Sequence, residues 1–312
     1  MILVTGASGF VGSALVAYLS ERGLPVRALL RPSRYSPQLP RNIPVEVAVS
    51  SMQDERGIRA ALKDVTCIFH LASSEKEGQQ VDLEASDVKG LENLLQAAEQ
   101  VGVERIIFLS HIGADRTSGF PAFRAKAIAE KMIQNSQTTA TILRTAVIFG
   151  QGDGFISYFA RGLAASKLLY SIPGRGDVLM QPLWINDLIN CLFLAYQNEE
   201  YAGKIFLLGG GEYFTFRAVL QMIMEGIGKK RFLVPIAPAM LRARNLWFGE
   251  SPRASTLSTF WIDYLASDRT CSLDSLPHQF NILPGRFSEK LERHGPVQTG
   301  HEAVGNEPVG HQ

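Results

Sequence analysis

The chain has 312 residues, 46% of them hydrophobic, with 31 Lys plus Arg against 30 Asp plus Glu and a formal net charge of +1. That is apolar material for one large core or one and a half, and the balanced charge argues against a polyanion surface or an acidic tail, so no nucleic-acid partner is expected. No apolar run reaches the ~18 residues of a transmembrane segment, and the six histidines show no HxxxH or HExxH spacing, so no metal site is expected.

The chain opens on Ile2-Leu-Val4, a short apolar run that reads as a buried strand. It stops at Gly6, Gly9 and Gly12, with Ser8, Phe10 and Val11 between them, and a helical pattern follows over Ser13–Arg22. Strand, glycine turn and helix form the first half of a dinucleotide-binding unit. Gly6 permits the tight turn, Gly9 lets backbone approach a pyrophosphate, and Gly12 lets the helix pack on its strand. The anion then sits on the N–H groups that open the helix. A first strand at residue 2 leaves no room for a signal peptide.

Strand-like runs follow at Val26–Leu30, Val45–Val49, Cys67–Leu71, Ile106–Leu109 and Thr141–Ile148, separated by helical stretches Glu55–Leu62, Ala85–Val101 and Phe123–Asn135. Alternation of this kind predicts an α/β fold, a doubly wound parallel sheet with right-handed crossovers. Residues 1–150 form this dinucleotide-binding unit, completed by re-entering segments around 178–210, and 151–292 form a small C-terminal α+β subdomain. Gly150-Gln-Gly-Asp-Gly154 marks the change as a glycine-rich loop. Helices are expected at 155–166, 186–197 and 215–228, short strands at 178–183 and 204–208, and two long connections at 168–177 and 229–262. Within the latter, 237–248 mixes Met, Leu, Trp and Phe with Arg242 and Arg244. It either packs on the main domain or meets a membrane surface or partner assembly. The tail 293–312 lacks apolar periodicity and is expected to be disordered. Cys67, Cys191 and Cys271 form no metal or disulfide pattern, which points to a reducing compartment, cytoplasmic or peripheral to a membrane complex.

The end of the second strand selects the cofactor. NAD sites place an acid there to hold the ribose hydroxyls. This chain has Arg27-Ala-Leu-Leu-Arg31-Pro-Ser-Arg34, with no Asp or Glu. Arg31 and Arg34 suit a 2′-phosphate, so NADP(H) is favoured over NAD(H); the alternative is a solvated basic loop. His70-Leu71-Ala72-Ser73 would pass beside the adenosine ribose and pyrophosphate, with Asp87 behind it. Asp54 lies either near the adenine or at a helix N-cap.

Gly6-Ala-Ser-Gly-Phe-Val-Gly12, His70-Leu-Ala, Asp87-Val-Lys-Gly-Leu-Glu-Asn-Leu-Leu, Ile142-Leu-Arg-Thr-Ala-Val-Ile-Phe-Gly150, Gln181-Pro-Leu-Trp-Ile-Asn-Asp187 and Gly203-Lys-Ile-Phe-Leu-Leu-Gly-Gly210 together resemble the extended and atypical short-chain dehydrogenase/reductases, the epimerase/dehydratase-like group, over about 1–290. Within them the chain is most similar to the group of the nucleotide-binding accessory subunit of respiratory complex I, through its basic second-strand end, its short second domain and Arg286-Phe-Ser-Glu-Lys-Leu291. The resemblance implies a Rossmann fold and a retained NADPH without established turnover.

It also implies a Tyr-x-x-x-Lys pair on one helical face, with the Lys on the nicotinamide ribose and the Tyr as acid/base. Here Lys126 matches the lysine, but Ala122 stands at the tyrosine position. Ser110 roughly fits the serine that polarises the substrate oxygen, and His111 beside it is a candidate substitute acid/base. Lys126, Ser110 and His111 are therefore the candidate catalytic residues. Each also has a plainer reading as a ribose-holding or solvated lysine, a strand-end serine and a loop or core histidine. Tyr158 and Tyr213 lie in the region that reaches back over the cleft. Two functions follow: a binding protein that keeps NADP(H) in a structural, assembly or redox-sensing role, or an active NADPH-dependent oxidoreductase or epimerase with a substitute acid/base.

Overall fold

In the computed structural model, residues 1–33, 39, 44–74, 83, 87–249 and 257–294 are described. Arg34, residues 85 and 86 of the expected third helix, and the tail beyond 294 lie outside them.

The N-terminal half alternates as β1 (Ile2–Thr5), α1 (Phe10–Glu21), β2 (Val26–Leu30), β3 (Glu46–Val49), α2 (Glu55–Ala61), β4 (Cys67–His70), α3 (Lys89–Val101), β5 (Arg105–His111), α4 (Pro121–Asn135) and β6 (Thr139–Thr145). It continues through β7 (Ile148–Phe149), α5 (Ile156–Ala165), β8 (Leu169–Pro173), β9 (Leu179–Met180), β10 (Leu183–Trp184), α6 (Ile185–Gln197), β11 (Ile205–Leu208), β12 (Phe214–Thr215) and α7 (Phe216–Gly226). The last elements are β13 (Phe232–Ile236), α8 (Pro238–Phe248), α9 (Thr259–Tyr264), α10 (Ser275–Phe280) and α11 (Phe287–His294).

Seven strands form one sheet in the order β11-β6-β5-β4-β1-β2-β3, parallel at every pairing. This is the doubly wound Rossmann architecture. Strand order reverses at β1, which lies between β2 and β4, so a crevice opens beyond the carboxyl ends of β1 and β4. Alternate strand residues feed two cores. Ile2, Val4, Cys67, Phe69 and Ile107 face Leu15, Val16 and Leu19 of α1 and Leu188 and Leu192 of α6. Leu3, Ile68, Ile106 and Phe108 face Ile58 of α2, Leu91, Leu94 and Ala98 of α3, and Ile133 of α4. Strands buried on both faces explain the continuous apolar runs.

The re-entering segment closes the sheet edge. β11 pairs with β6 in register Ile205 to Ile142, and α6 docks on α1, where the Tyr18 hydroxyl donates to Asn190 Oδ1 at 2.7 Å. The second-layer aromatics Phe155, Phe159, Phe216 and Trp261 hold the C-terminal subdomain together, with ring centroids 5.1–5.5 Å apart in the Phe159–Phe216, Phe159–Trp261 and Phe155–Trp261 pairs. Two expectations are corrected. The stretches 168–177 and 229–262 are not plain connections: β8 and β13 lie within them and pair with each other in parallel. Each strand is short and lacks a partner within its own neighbourhood in sequence, so neither announces itself. The single expected strand Thr141–Ile148 is split: Ala146 N gives the last bond to β11, at Leu208 O at 2.8 Å, and β7 then leaves the large sheet to pair with β10.

The segment 237–248 is the helix α8. Its Leu241 and Asn245 are buried, and Asn245 Nδ2 donates to Leu257 O at 2.8 Å. Leu246, Trp247 and Phe248 at its end are exposed, at 77%, 82% and 85%. No helix among the described residues is long and apolar enough to cross a membrane.

Candidate functional site

The site begins at the turn between β1 and α1. Gly6 has φ +68°, and a Cβ there would lie 2.7 Å from Ala72 N. A Cβ on Gly12 would lie 2.1 Å from Gly6 O. Both positions therefore exclude any side chain. Gly9 N donates to Gly6 O at 2.9 Å, and Gly9 caps α1 with no side-chain hydrogen bond and no acid in the first turn. The opening N–H groups of α1 and its positive dipole end are thus left for an anion.

The turn forms one wall of a cleft of about 840 Å³ at the carboxyl ends of the strands, within the usual size of a cofactor site. The opposite wall comes from the ends of β2 and β4. Gly6, Ser8, Gly9, Arg31, His70, Leu71 and Ala72 all line it. Phe10, Val11 and Gly12 belong to the first turn of α1; Phe10 turns toward the Gly150 loop, its Cζ 3.2 Å from where a Gly150 Cβ would stand. Sequence reasoning missed Ser50, Ser51, Met52 and Gln53, which follow β3 and line the cleft there. The available signal was a polar pair directly after a sheet strand. Asp54 is the N-cap of α2, accepting from Gly57 N at 3.1 Å. Asp87 accepts from the Ser73 hydroxyl at 3.0 Å and Ser74 N at 3.0 Å, which fixes the loop after β4.

His70 has a determined tautomer. Thr5 Oγ1 accepts from Leu71 N at 3.2 Å and Ala72 N at 3.3 Å. With both lone pairs used, its proton goes to His70 Nδ1, 2.9 Å away, so the ring carries its own proton on Nε2. The ring stacks on Phe108 at 5.6 Å. Burial, and then the nearby Lys126 charge, push its pKa down from 6.5 to about 3. It is neutral at physiological pH.

Lys126 is buried on α4. Its Nζ donates to Leu109 O at 3.3 Å and lies 5.2 Å from the Phe108 ring centroid. Beneath it a small cavity of about 10 Å³ is lined by His70, Asp87, Phe108, Ala122 and Ala125, the room of one water at most. Ala122 contributes a methyl group to its wall. Lys126 and His70 are thus brought together, while Ser110 is not part of the cleft wall. Its hydroxyl, fully buried, donates to Glu130 Oε1 at 2.5 Å. Glu130 in turn holds Arg144 through Nε at 2.9 Å and Nη2 at 2.5 Å. This trio, with Ser110 and Glu130 buried and Arg144 partly so, ties β5, α4 and β6 together, and its sequence trace is the acid four residues after Lys126.

His111 faces the C-terminal subdomain. Its ring lies 6.0, 6.4 and 6.5 Å from Phe123, Tyr264 and Phe260. Tyr158 and Tyr213 do not line the cleft: the first hydroxyl accepts from Ser258 N at 2.7 Å, and the second donates to Cys271 O at 2.5 Å. In the Gly150 loop, Asp153 accepts from the N–H groups of Gly150 at 2.9 Å and Phe155 at 2.9 Å. Burial raises its pKa against those bonds. Asp187 accepts from Gly285 N at 2.8 Å and so anchors the C-terminal segment.

Residues 6–155 match the family model described as NAD(P)H-binding. This stretch is an NAD(P)H-binding domain. The chain is 28% identical over 318 residues to the mitochondrial NADH dehydrogenase (ubiquinone) 1 alpha subcomplex subunit 9 of Arabidopsis thaliana, covering 94% of this chain and 78% of that protein. It is also 28% identical over 257 residues to 2-alkyl-3-oxoalkanoate reductase of Stenotrophomonas maltophilia, covering 74% of this chain and 76% of that protein. Among solved structures, Thermus thermophilus UDP-glucose 4-epimerase in complex with NAD superposes with a TM-score of 0.64 at 24% identity, covering 88% of this chain and 96% of that one; at that identity the likeness speaks for the fold. The NAD(P)H-binding domain has the parts such a cofactor needs: a side-chain-free cradle, an uncapped helix end and a cleft of matching size.

Two outcomes are expected. Gly12→Ala forces the turn off the helix and abolishes dinucleotide binding, measured by calorimetry, with a stability loss of about 2 kcal/mol or more in urea unfolding. His70 sets an acid limit: below pH 6.5 the unfolded chain takes up a proton on this imidazole that the folded chain refuses until about pH 3. Stability therefore falls as pH drops through that window, by up to about 1.4 kcal/mol per unit. In His70→Asn, equilibrium unfolding between pH 6 and 4 loses that part of the slope.

Proposed function

We propose that this chain is an NADP(H)-binding, short-chain dehydrogenase/reductase-like protein that holds its cofactor tightly in a structural, assembly or redox-sensing role. One observation carries the reading: a complete glycine cradle stands beside a reactive face in which Ala122 replaces the phenol while Lys126 is kept. The donation of the Ser110 hydroxyl to Glu130 supports it, since that proton is withdrawn from any substrate oxygen. A bound dinucleotide stabilises the fold by mass action whether or not it reacts. Arg31 in the cleft wall and the lack of any acid from Arg27 to Arg34 favour NADP(H), with Arg34 as its second candidate ligand.

The Arabidopsis relative is named as a subunit of NADH dehydrogenase. By analogy this chain docks on a membrane-associated assembly from the cytoplasmic side, and the exposed end of α8 is the candidate contact. A second reading, an active NADPH-dependent oxidoreductase or epimerase, is favoured by the similarity to a protein named as a reductase. It would draw its proton from His111 or Lys126.

Native mass spectrometry of the purified chain is expected to show one dinucleotide per chain, with NADPH or NADP+ the mass found. Stopped-flow mixing of the NADPH complex with carbonyl substrates is expected to show no oxidation; steady turnover abolished by Lys126→Ala or His111→Ala would establish the second reading instead. Arg31→Ala is expected to weaken NADPH binding by about tenfold and leave NADH binding within about twofold. Equal losses for both would sink the NADP(H) preference.

A further inference from the structure

The outward face of the small β8–β13 sheet breaks the pattern of a strand laid on a core. Tyr170 and Ile172 of β8 are buried, so the alternate positions are expected to be polar. Instead Leu169 is 59% exposed, and Phe232, opposite it in register on β13, is 66% exposed. Leu168, just before the strand, is 56% exposed, and its carbonyl accepts from Phe232 N at 2.9 Å. Three large apolar side chains thus stand in water at one end of one small sheet. Single exposed apolar residues are ordinary, but a contiguous group of them marks a contact surface.

Cations surround this group. Segments 166–169 and 224–232 carry four basic residues, Lys167, Lys229, Lys230 and Arg231, against one acid, Glu225. After α7 the chain turns through Gly228, at φ +63°, and Lys229 N donates back to Met224 O at 3.0 Å. That turn delivers Lys229 and Lys230 to the start of β13. Arg231 then ties them to the end of α5. Its Nε donates to Leu163 O at 3.1 Å and to Ser166 Oγ at 3.2 Å, and its Nη1 donates to Lys230 O at 2.8 Å. Lys167 follows Ser166 directly. Arg231 is therefore occupied in holding the two segments together. Lys167, Lys229 and Lys230 are exposed, and among the described residues they pair with no carboxylate.

We propose that this end of the β8–β13 sheet docks on an anionic lipid surface. Leu168, Leu169 and Phe232 enter the boundary between headgroups and acyl chains, and Lys167, Lys229 and Lys230 meet lipid phosphates. The side-chain chemistry selects a bilayer over a protein partner. Lysine is depleted in protein–protein interfaces, where its long stem must be immobilised. On a bilayer the same stem lies along apolar surface while its ammonium stays among water and phosphate. Each lysine then adds attraction with no fixed geometry, which suits three mobile cations around a fixed apolar group. This contact goes beyond the proposed function: it uses elements other than the end of α8 and needs no bound dinucleotide.

The full chain is sedimented with vesicles of pure phosphatidylcholine and, separately, with vesicles of phosphatidylglycerol and phosphatidylcholine in equal parts. It is expected to bind the mixed vesicles and not the neutral ones, and to come off as salt rises. The double variant Lys229→Glu, Lys230→Glu is expected to weaken binding by about tenfold or more, and Phe232→Ser by about fivefold. Both replace exposed side chains, so melting temperatures stay within about 2 °C of the parent. Trp247→Ser, at the end of α8, is expected to bind as the parent does. The proposal is overturned if the mixed vesicles are not bound, if either the double variant or Phe232→Ser binds them as the parent does, or if Trp247→Ser abolishes binding. It is overturned equally if ultracentrifugation shows a dimer that Phe232→Ser dissociates, since the patch would then join two copies of the chain. NADPH affinity, read on the same samples, is expected to be unchanged, so failure of the cofactor reading and failure of the lipid contact are seen separately.

Discussion

The contact on which the rest depends is backbone against backbone. Gly6 O touches the place where a side chain of Gly12 would be, and Gly6 itself presses on the Leu71–Ala72 peptide at the end of β4. The turn after β1, the start of α1 and the distant end of β4 thus meet with no side chain between them. Because they meet there, α1 starts at the mouth of the crevice, its opening N–H groups face the cleft, and β1 and β4 lie side by side at the reversal of strand order. One added methyl at either glycine would part the helix from its strand and remove the anion cradle with it.

A second layer of polar contacts locks this arrangement. Thr5 binds the N–H groups of Leu71 and Ala72 and gives its proton to His70. The imidazole is held neutral, which matters because Lys126 lies close enough to repel its charged form. Ala122 gives nothing to protonate, and the Ser110 hydroxyl is committed to Glu130, whose pairing with Arg144 spans β5, α4 and β6. Ser110 thereby fastens a helix to the sheet.

The C-terminal subdomain reaches the same end of the sheet through aromatic packing. α9 brings Phe260 and Tyr264 against His111 and Phe123, and Arg242 of α8 pairs with Asp263 and lies over Phe120 just before α4. The arm that carries the exposed Leu246-Trp-Phe248 tip is thereby joined to the helix that carries Lys126. Any surface that captures the tip acts on an element in mechanical contact with the cofactor side of the molecule.

Much of this was readable in the residues. Continuous apolar runs such as Ile2–Val4 and Val26–Leu30 belong to strands buried on both faces, and the leucine face of Leu91, Leu94 and Leu95 can only be a helix against that sheet. The glycine turn was legible because its spacing encodes a steric requirement, and the absence of Tyr at 122 is a fact of composition. Local order, then, fixed the sheet, the cradle and the missing phenol. What folding alone decided is where the polar side chains point. Whether Ser110 faced a substrate or Glu130 depended on a helix twenty residues away. Whether 168–177 and 229–262 were loops or paired strands depended on each other. Such outcomes follow from long-range packing, in which each group's partner is set by chain segments that no local pattern can see.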